Sequence, residues 1–99
     1  DAVTDDSSIL IGTKPFMNYV TGVVMQFTTK GAQEVTIKAR GKFINRAVDV
    51  AEAASKRFLQ GTIAMHDVRV DSEEFTNKDG KNVRVSTIEL VLRRTPKNI

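Results

Sequence analysis

The 99 residues include no cysteine and no tryptophan, one histidine, one tyrosine and two prolines. Without thiols, neither a disulfide framework nor a thiolate-ligated metal site can form. His66 has no cysteine to act with and no serine-based signature around it, so nucleophilic catalysis finds no support. P-loop, dinucleotide-binding and zinc spacings are also missing. No apolar run reaches the roughly 20 residues needed to span a bilayer, and no signal-peptide pattern opens the chain. These absences lead to the expectation of a soluble, cytoplasmic, non-enzymatic protein with no cofactor, no metal and no membrane association.

What is present is charge in an uneven distribution. Fifteen Lys and Arg stand against twelve Asp and Glu, for a net charge of +3 and a pI near 9.5. Setting aside Asp1, Asp5 and Asp6 in the N-terminal lead raises the net charge from +3 to +6. Between Lys30 and Arg46 lie Lys38, Arg40 and Lys42, with Glu34 the only acid in the interval. Such a patch is either a solvating surface or a place for a polyanion, nucleic acid first. Hydrophobic residues at 40% and charged residues at 27% are ordinary for a globular chain of one domain.

Taken in order, residues 1–7 read as a mobile acidic tail. Ile9, Leu10 and Ile11 form a short strand ended by Gly12. Pro15 suits the first position of a helix whose stripe is Phe16, Val20, Val23, Val24 and Phe27, with Gly31 as its stop. Lys14, just ahead of that helix, opposes the macrodipole; it is an ordinary loop lysine or the partner of an external anion. Glu34 to Arg40 alternates as a strand, with Val35, Ile37 and Ala39 on one face. Gly41 breaks it, and from Ile44 to Leu59 the spacing turns helical through Ala47, Val48, Ala51, Ala54 and Phe58, closed by Gly61. Phe58 is either core or a contact between subunits.

Two long strands follow, from Ile63 and from Val83, joined by a polar tip over residues 77–82 that carries Asp79-Gly80. The apolar parity changes near His66 and Asp67, which predicts a bulge, and again near Ser86. Arg69 among Asp67, Asp71 and Glu73 predicts an ion-pair ladder rather than a metal site. Tyr19 and the five phenylalanines are too few and too periodic for a base-stacking platform. Residues 8–95 make the single domain, and a basic segment over residues 96–99 is expected to fray. The order β-α-β-α-β-β predicts an α/β two-layer sandwich, with both helices on one face of a mixed four-stranded sheet and a long β-hairpin arm.

Five segments carry a resemblance: Ile11-Gly-Thr-Lys-Pro-Phe-Met-Asn-Tyr-Val20, Val35-Thr-Ile-Lys-Ala-Arg-Gly-Lys42, Ala47-Val-Asp49, Arg57-Phe-Leu59 and Val85-Ser-Thr-Ile-Glu89. In that order and spacing, from about Ile9 to Arg94, the sequence resembles the Alba family of archaeal chromatin proteins. The resemblance implies that the second and fourth strands are central in the sheet. It also implies a homodimer that coats double-stranded DNA largely without sequence preference, chromosome-associated and also able to bind RNA. The nucleic-acid-binding positions it implies are Lys14, Arg40, Lys42, Asn45 and Arg46, with Lys78, Lys81 and Arg84 on the arm. Arg57 and Phe58 are the implied contact between neighbouring dimers. One departure stands out: Thr13 occupies the place of the first of two lysines common in the family, a site of acetylation control. Two alternatives stand beside DNA coating: an RNA-directed role, as chaperone or subunit of an RNA-processing particle, and a dimerising module that binds no nucleic acid.

Overall fold

The computed structural model of the chain describes residues 7–96. The expected acidic tail lies, but for Ser7, outside the described residues, as do Lys97, Asn98 and Ile99 of the expected C-terminal fray. Four strands and two helices follow in the order β1 (Ser8–Leu10), α1 (Phe16–Thr28), β2 (Glu34–Arg40), α2 (Ile44–Ala53), β3 (Ile63–Thr76) and β4 (Asn82–Arg94). A 3-10 turn, Gly41–Phe43, leads into α2, and a π-helical turn, Ala54–Phe58, closes it.

The sheet order is β1-β2-β4-β3, so β2 and β4 are central. β1 runs parallel to β2, while β4 is antiparallel to both of its neighbours. Alternation along β2 sends Val35, Ile37 and Ala39 inward, all at most 1% exposed, where they meet Leu90 and Leu92 of β4. From the helices come Val20, Val23 and Phe27 of α1 and Ala47, Val50 and Ala51 of α2, on the stripes that a 3.6-residue period sets. Gly22 of α1 packs beside Ile9 of β1, whose side chain would be in ordinary van der Waals contact, at 3.6 Å, with a Cβ at that position. The two-layer architecture is the expected one.

Several local expectations need correction. Pro15 precedes the first helical turn rather than forming part of it, at φ −55° and ψ 144°, and Asn18 N–H donates to its carbonyl at 3.0 Å. On α2, Val50 rather than Val48 completes the buried stripe; Val48 is exposed. The bulge at His66 is present, as a register shift between Met65 and Asp67. Near Ser86 there is none: the ladder runs unbroken from Asn82 to Arg94. Instead the apolar side chains change sides. Ile88, Leu90 and Leu92 face the helices, while Val83 and Val85 face the opposite way on the arm, which the helices do not reach. The C-terminal strand is also anchored further than its basic residues suggested. Arg93 pairs with Glu34 at 2.6 Å, and Arg94 donates from Nε to the Ala32 carbonyl and from Nη2 to the Phe27 carbonyl, with its guanidinium over the Phe27 ring. Thr95 N–H reaches the Thr62 carbonyl at 2.9 Å.

β2 pairs only with Thr87 through Arg93 of β4. From Ser86 outward, β3 and β4 have only each other, and this two-stranded arm gives the molecule its 57 Å length. Replacing Ile37, fully buried in a central strand, by alanine is expected to cost about 2–5 kcal/mol in urea unfolding.

Candidate nucleic-acid interface

Both helices begin in an unusual way. Neither α1 nor α2 has a side-chain cap, and neither carries an acid in its first turn. Both starts carry the positive end of a helix dipole, which favours an external anion; at α2 the preceding 3-10 turn already pairs the Ile44 N–H with the Gly41 carbonyl. At α2 the approach is made by Gly41, whose φ of +54° lets β2 turn sharply into the 3-10 turn that carries Lys42.

A knot of four residues ties the two helix starts together. The Tyr19 hydroxyl, on the buried side of α1, accepts hydrogen bonds from the N–H groups of Gly12 (2.9 Å) and Lys14 (3.0 Å). Arg46, in the first turn of α2, lies over the Tyr19 ring at 5.6 Å and donates from Nη1 to the Gly12 carbonyl. The β1–α1 loop is thereby held against α2, and Lys14 is presented on the same rim as Lys42. Among the described residues, neither lysine forms an ion pair, and both are exposed.

Other cations are already engaged. Arg40 pairs with Glu73 at 3.0 Å and lies over the Phe75 ring. Arg69 pairs with Asp67 (3.0 Å) and Glu89 (3.7 Å), so the ladder expected along β3 is only partly formed, its Glu73 being turned to Arg40. Together with Glu34–Arg93, these pairs cover the open face of the sheet. There Lys38, Arg40, Arg69 and Arg93 stand against Glu34, Asp67, Asp71, Glu73 and Glu89, which leaves that face slightly acidic. Positive potential therefore concentrates at the rim made by the helix starts rather than on the open sheet.

Of the expected binding positions, Lys14, Arg40, Lys42 and Arg46 come together at this rim. Asn45 is exposed in the first turn of α2, its amide 3.5 Å from Asp49. Lys78, Lys81 and Arg84 lie apart, on the arm. Its tip is built on Asn77, whose Oδ1 accepts the N–H groups of Asp79 and Lys81. Lys78 and Lys81 are exposed there, and Arg84 pairs with Glu74 at 3.1 Å. Arg57 and Phe58 are exposed on the π turn, where Leu59 N–H bonds the Ala54 carbonyl five residues back. No group of three or more His, Asp or Glu side chains among the described residues could hold a metal ion. No helix among them is long and apolar enough to cross a membrane.

Tyr19 carried no motif that marked it as the organiser of this site. A usable signal was its chemistry, since a buried phenol needs hydrogen-bond partners and the Gly12–Lys14 loop is the nearest supply.

The family model described as Alba matches residues 7–72. Two curated relatives carry the name "DNA/RNA-binding protein Alba". The one from Nanoarchaeum equitans is 54% identical over 85% of this chain and 93% of its own length. That from Methanococcus maripaludis is 44% identical over 88% of this chain and 97% of its own. Among solved structures, Alba from Thermoplasma volcanium superposes with a TM-score of 0.80 at 42% identity, covering 88% of this chain and 99% of that one. ALBA1 from Trypanosoma brucei shares the fold, with a TM-score of 0.69 at 22% identity over 90% of this chain and 69% of that one. The family model, the identity to both relatives over most of the chain and the superposition at 42% identity place this chain in the Alba family.

Proposed function

We propose that this chain is a non-enzymatic protein that binds nucleic acid through the phosphate backbone, coating double-stranded DNA as a homodimer. The observation that carries this reading is the pair of uncapped, acid-free helix starts held side by side by Arg46 and Tyr19, with Lys14 and Lys42 unpaired on their rim. Backbone N–H groups and point charges suit phosphate oxygens, and no helix is presented as a base-reading element. Arg40 adds its charge by exchanging Glu73 for a phosphate, Asn45 adds a neutral donor, and Arg46 mainly positions. Lys78, Lys81 and Arg84 extend the contact along the arm, whose two strands suit a groove. The names of the relatives, which join DNA with RNA, support nucleic acid as the ligand and favour RNA as the second reading. Cytoplasmic, chromosome-associated residence follows from the DNA reading.

The homodimer is supported by an apolar face without a cover. Met65, Val68 and Val70 point to the helix side of the edge strand β3, beyond the helices, and are 37%, 51% and 73% exposed. Contiguous apolar surface of this kind marks an interaction site. Phe58, 52% exposed on the π turn, is assigned with Arg57 to contacts between dimers on the same nucleic acid.

With about six phosphate contacts per dimer, affinity falls by about a thousandfold between 50 and 200 mM salt. Removing Lys42 from both protomers by Lys42→Ala is expected to flatten the slope of log K against log salt by about 2. An unchanged slope would remove the rim from the interface, and an absence of salt-dependent binding would favour a dimerising module alone. Competition between matched DNA and RNA duplexes ranks the two nucleic-acid readings. Tyr19→Phe keeps every charge but releases the Gly12 and Lys14 amides; the expected result is about 1–3 kcal/mol lower stability and severalfold weaker binding in the same titration. Val68→Lys combined with Val70→Lys is expected to shift sedimentation equilibrium from twice the 11.0 kDa chain mass to the monomer.

A further inference from the structure

The side switch at Ser86 leaves apolar groups where a solvated ribbon would carry polar ones. Val85 of β4, at the arm root, and Phe75 of β3, further out along the arm, face the open side of the sheet, and Leu10 faces the same side at the end of β1. Elsewhere that face is an ionic lattice. Here these three side chains and Phe43 line a cleft of about 420 Å³, within the roughly 300–1,000 Å³ typical of small-ligand sites. Neither helix covers it, and Phe75 and Leu10 remain 43% and 67% exposed.

The mouth of the cleft is cationic, and each of its two aromatic rings carries one of the cations. Arg40 sits over Phe75 with its guanidinium carbon 5.8 Å from the ring centroid, and Lys42 Nζ is 5.4 Å from the centroid of Phe43. A flat apolar ring joined to a negatively charged group would complement this arrangement. Aromatic faces and the guanidinium plane stack on a nucleobase, while the rim cations take its flanking phosphates. A wholly apolar ligand would leave Lys42 without an anionic partner and would offer Arg40 nothing in exchange for Glu73. A base inside a duplex cannot enter, because its faces are covered by its neighbours.

Building on the nucleic-acid reading above, we propose that this cleft receives one unpaired nucleobase, from a bulge or a single-stranded segment, stacked against Phe43 and Phe75 with its phosphates on Arg40 and Lys42. The protein then grips a duplex by its backbone and also marks interruptions in it. The lining offers aliphatic and aromatic walls with cations only at the mouth, so the site is tolerant of base identity and accepts RNA and DNA alike.

The test uses the full chain and a short duplex with one central unpaired nucleotide, against the fully paired duplex, in RNA and DNA forms at one salt concentration. The expected result is about tenfold tighter binding of the bulged form and photocrosslinking of a 5-iodouracil placed in the bulge to Phe43 or Phe75. Phe75→Leu, which keeps an apolar side chain but removes the ring, should bring the bulged-to-paired ratio close to one and leave paired-duplex affinity unchanged. A ratio near one for the unaltered protein, or crosslinks confined to other residues, would overturn the proposal while backbone binding stands. Loss of bulged and paired binding together in Phe75→Leu would also overturn it, making Phe75 a duplex contact. No binding to either duplex at low salt would instead overturn the nucleic-acid reading on which it rests.

Discussion

The hydroxyl of Tyr19 and the guanidinium of Arg46 fix the Gly12–Lys14 loop against two helices that share one core. One side chain comes from α1 and the other from α2, and both act on the Gly12–Lys14 loop. Without this knot the loop would be an ordinary connection over a helix end. With it, the loop amides have protein partners, the loop is fixed in place, and the two positive helix ends become a single rim. The interaction is directional at both ends: the phenol accepts two N–H groups while its ring receives the cation. A phenylalanine or a lysine in these positions would supply only half of it.

The distribution of acids complements the knot. A chain with net charge +3 has little positive charge to spare, and an even spread would create no strong potential anywhere. Here acids of β2, β3 and β4 neutralise the arginines of the open sheet face. The lysines of the helix rim and the arm tip have no such partners among the described residues. Selective neutralisation, more than the number of basic residues, makes one region attractive to a polyanion. Exposed ion pairs of this sort contribute little to stability, about 0–1 kcal/mol each, so their main effect here is on where the field is directed.

Much of this fold was legible from periodicity, because alternation and helical spacing act locally. Val35, Ile37 and Ala39 announced a central strand, and the parity shift at His66 announced a bulge. The same kind of shift at Ser86 meant something else. Parity reports which side chains are apolar, and it cannot distinguish an extra residue from a strand that leaves the cover of its helices. In the site, the cations were legible but their partners were not. Arg46 finds Gly12 34 residues away, and Arg40 of β2 finds Glu73 of β3 only because β4 alone lies between those two strands in the sheet. Which phenylalanines stay exposed was not legible for a related reason. Only Phe27 is fully buried; Phe58 and Phe75 are largely open to solvent, and composition carries no record of which ring the helices cover.

The π turn at the end of α2 makes Phe58 a surface residue by counting rather than by chemistry. An α-helix advances about 100° per residue, and the wider turn over Ala54–Phe58 holds one residue more than an α-helical turn would. Val50, Ala51 and Ala54 sit inward, yet the ring that completes the same spacing is turned out to solvent. Deleting a single residue within that turn would restore the ordinary winding and swing the following side chains toward the core, with no change in their identity. Insertion or deletion of one residue in that turn would thus change which side chains the chain presents to solvent, without any change in composition elsewhere.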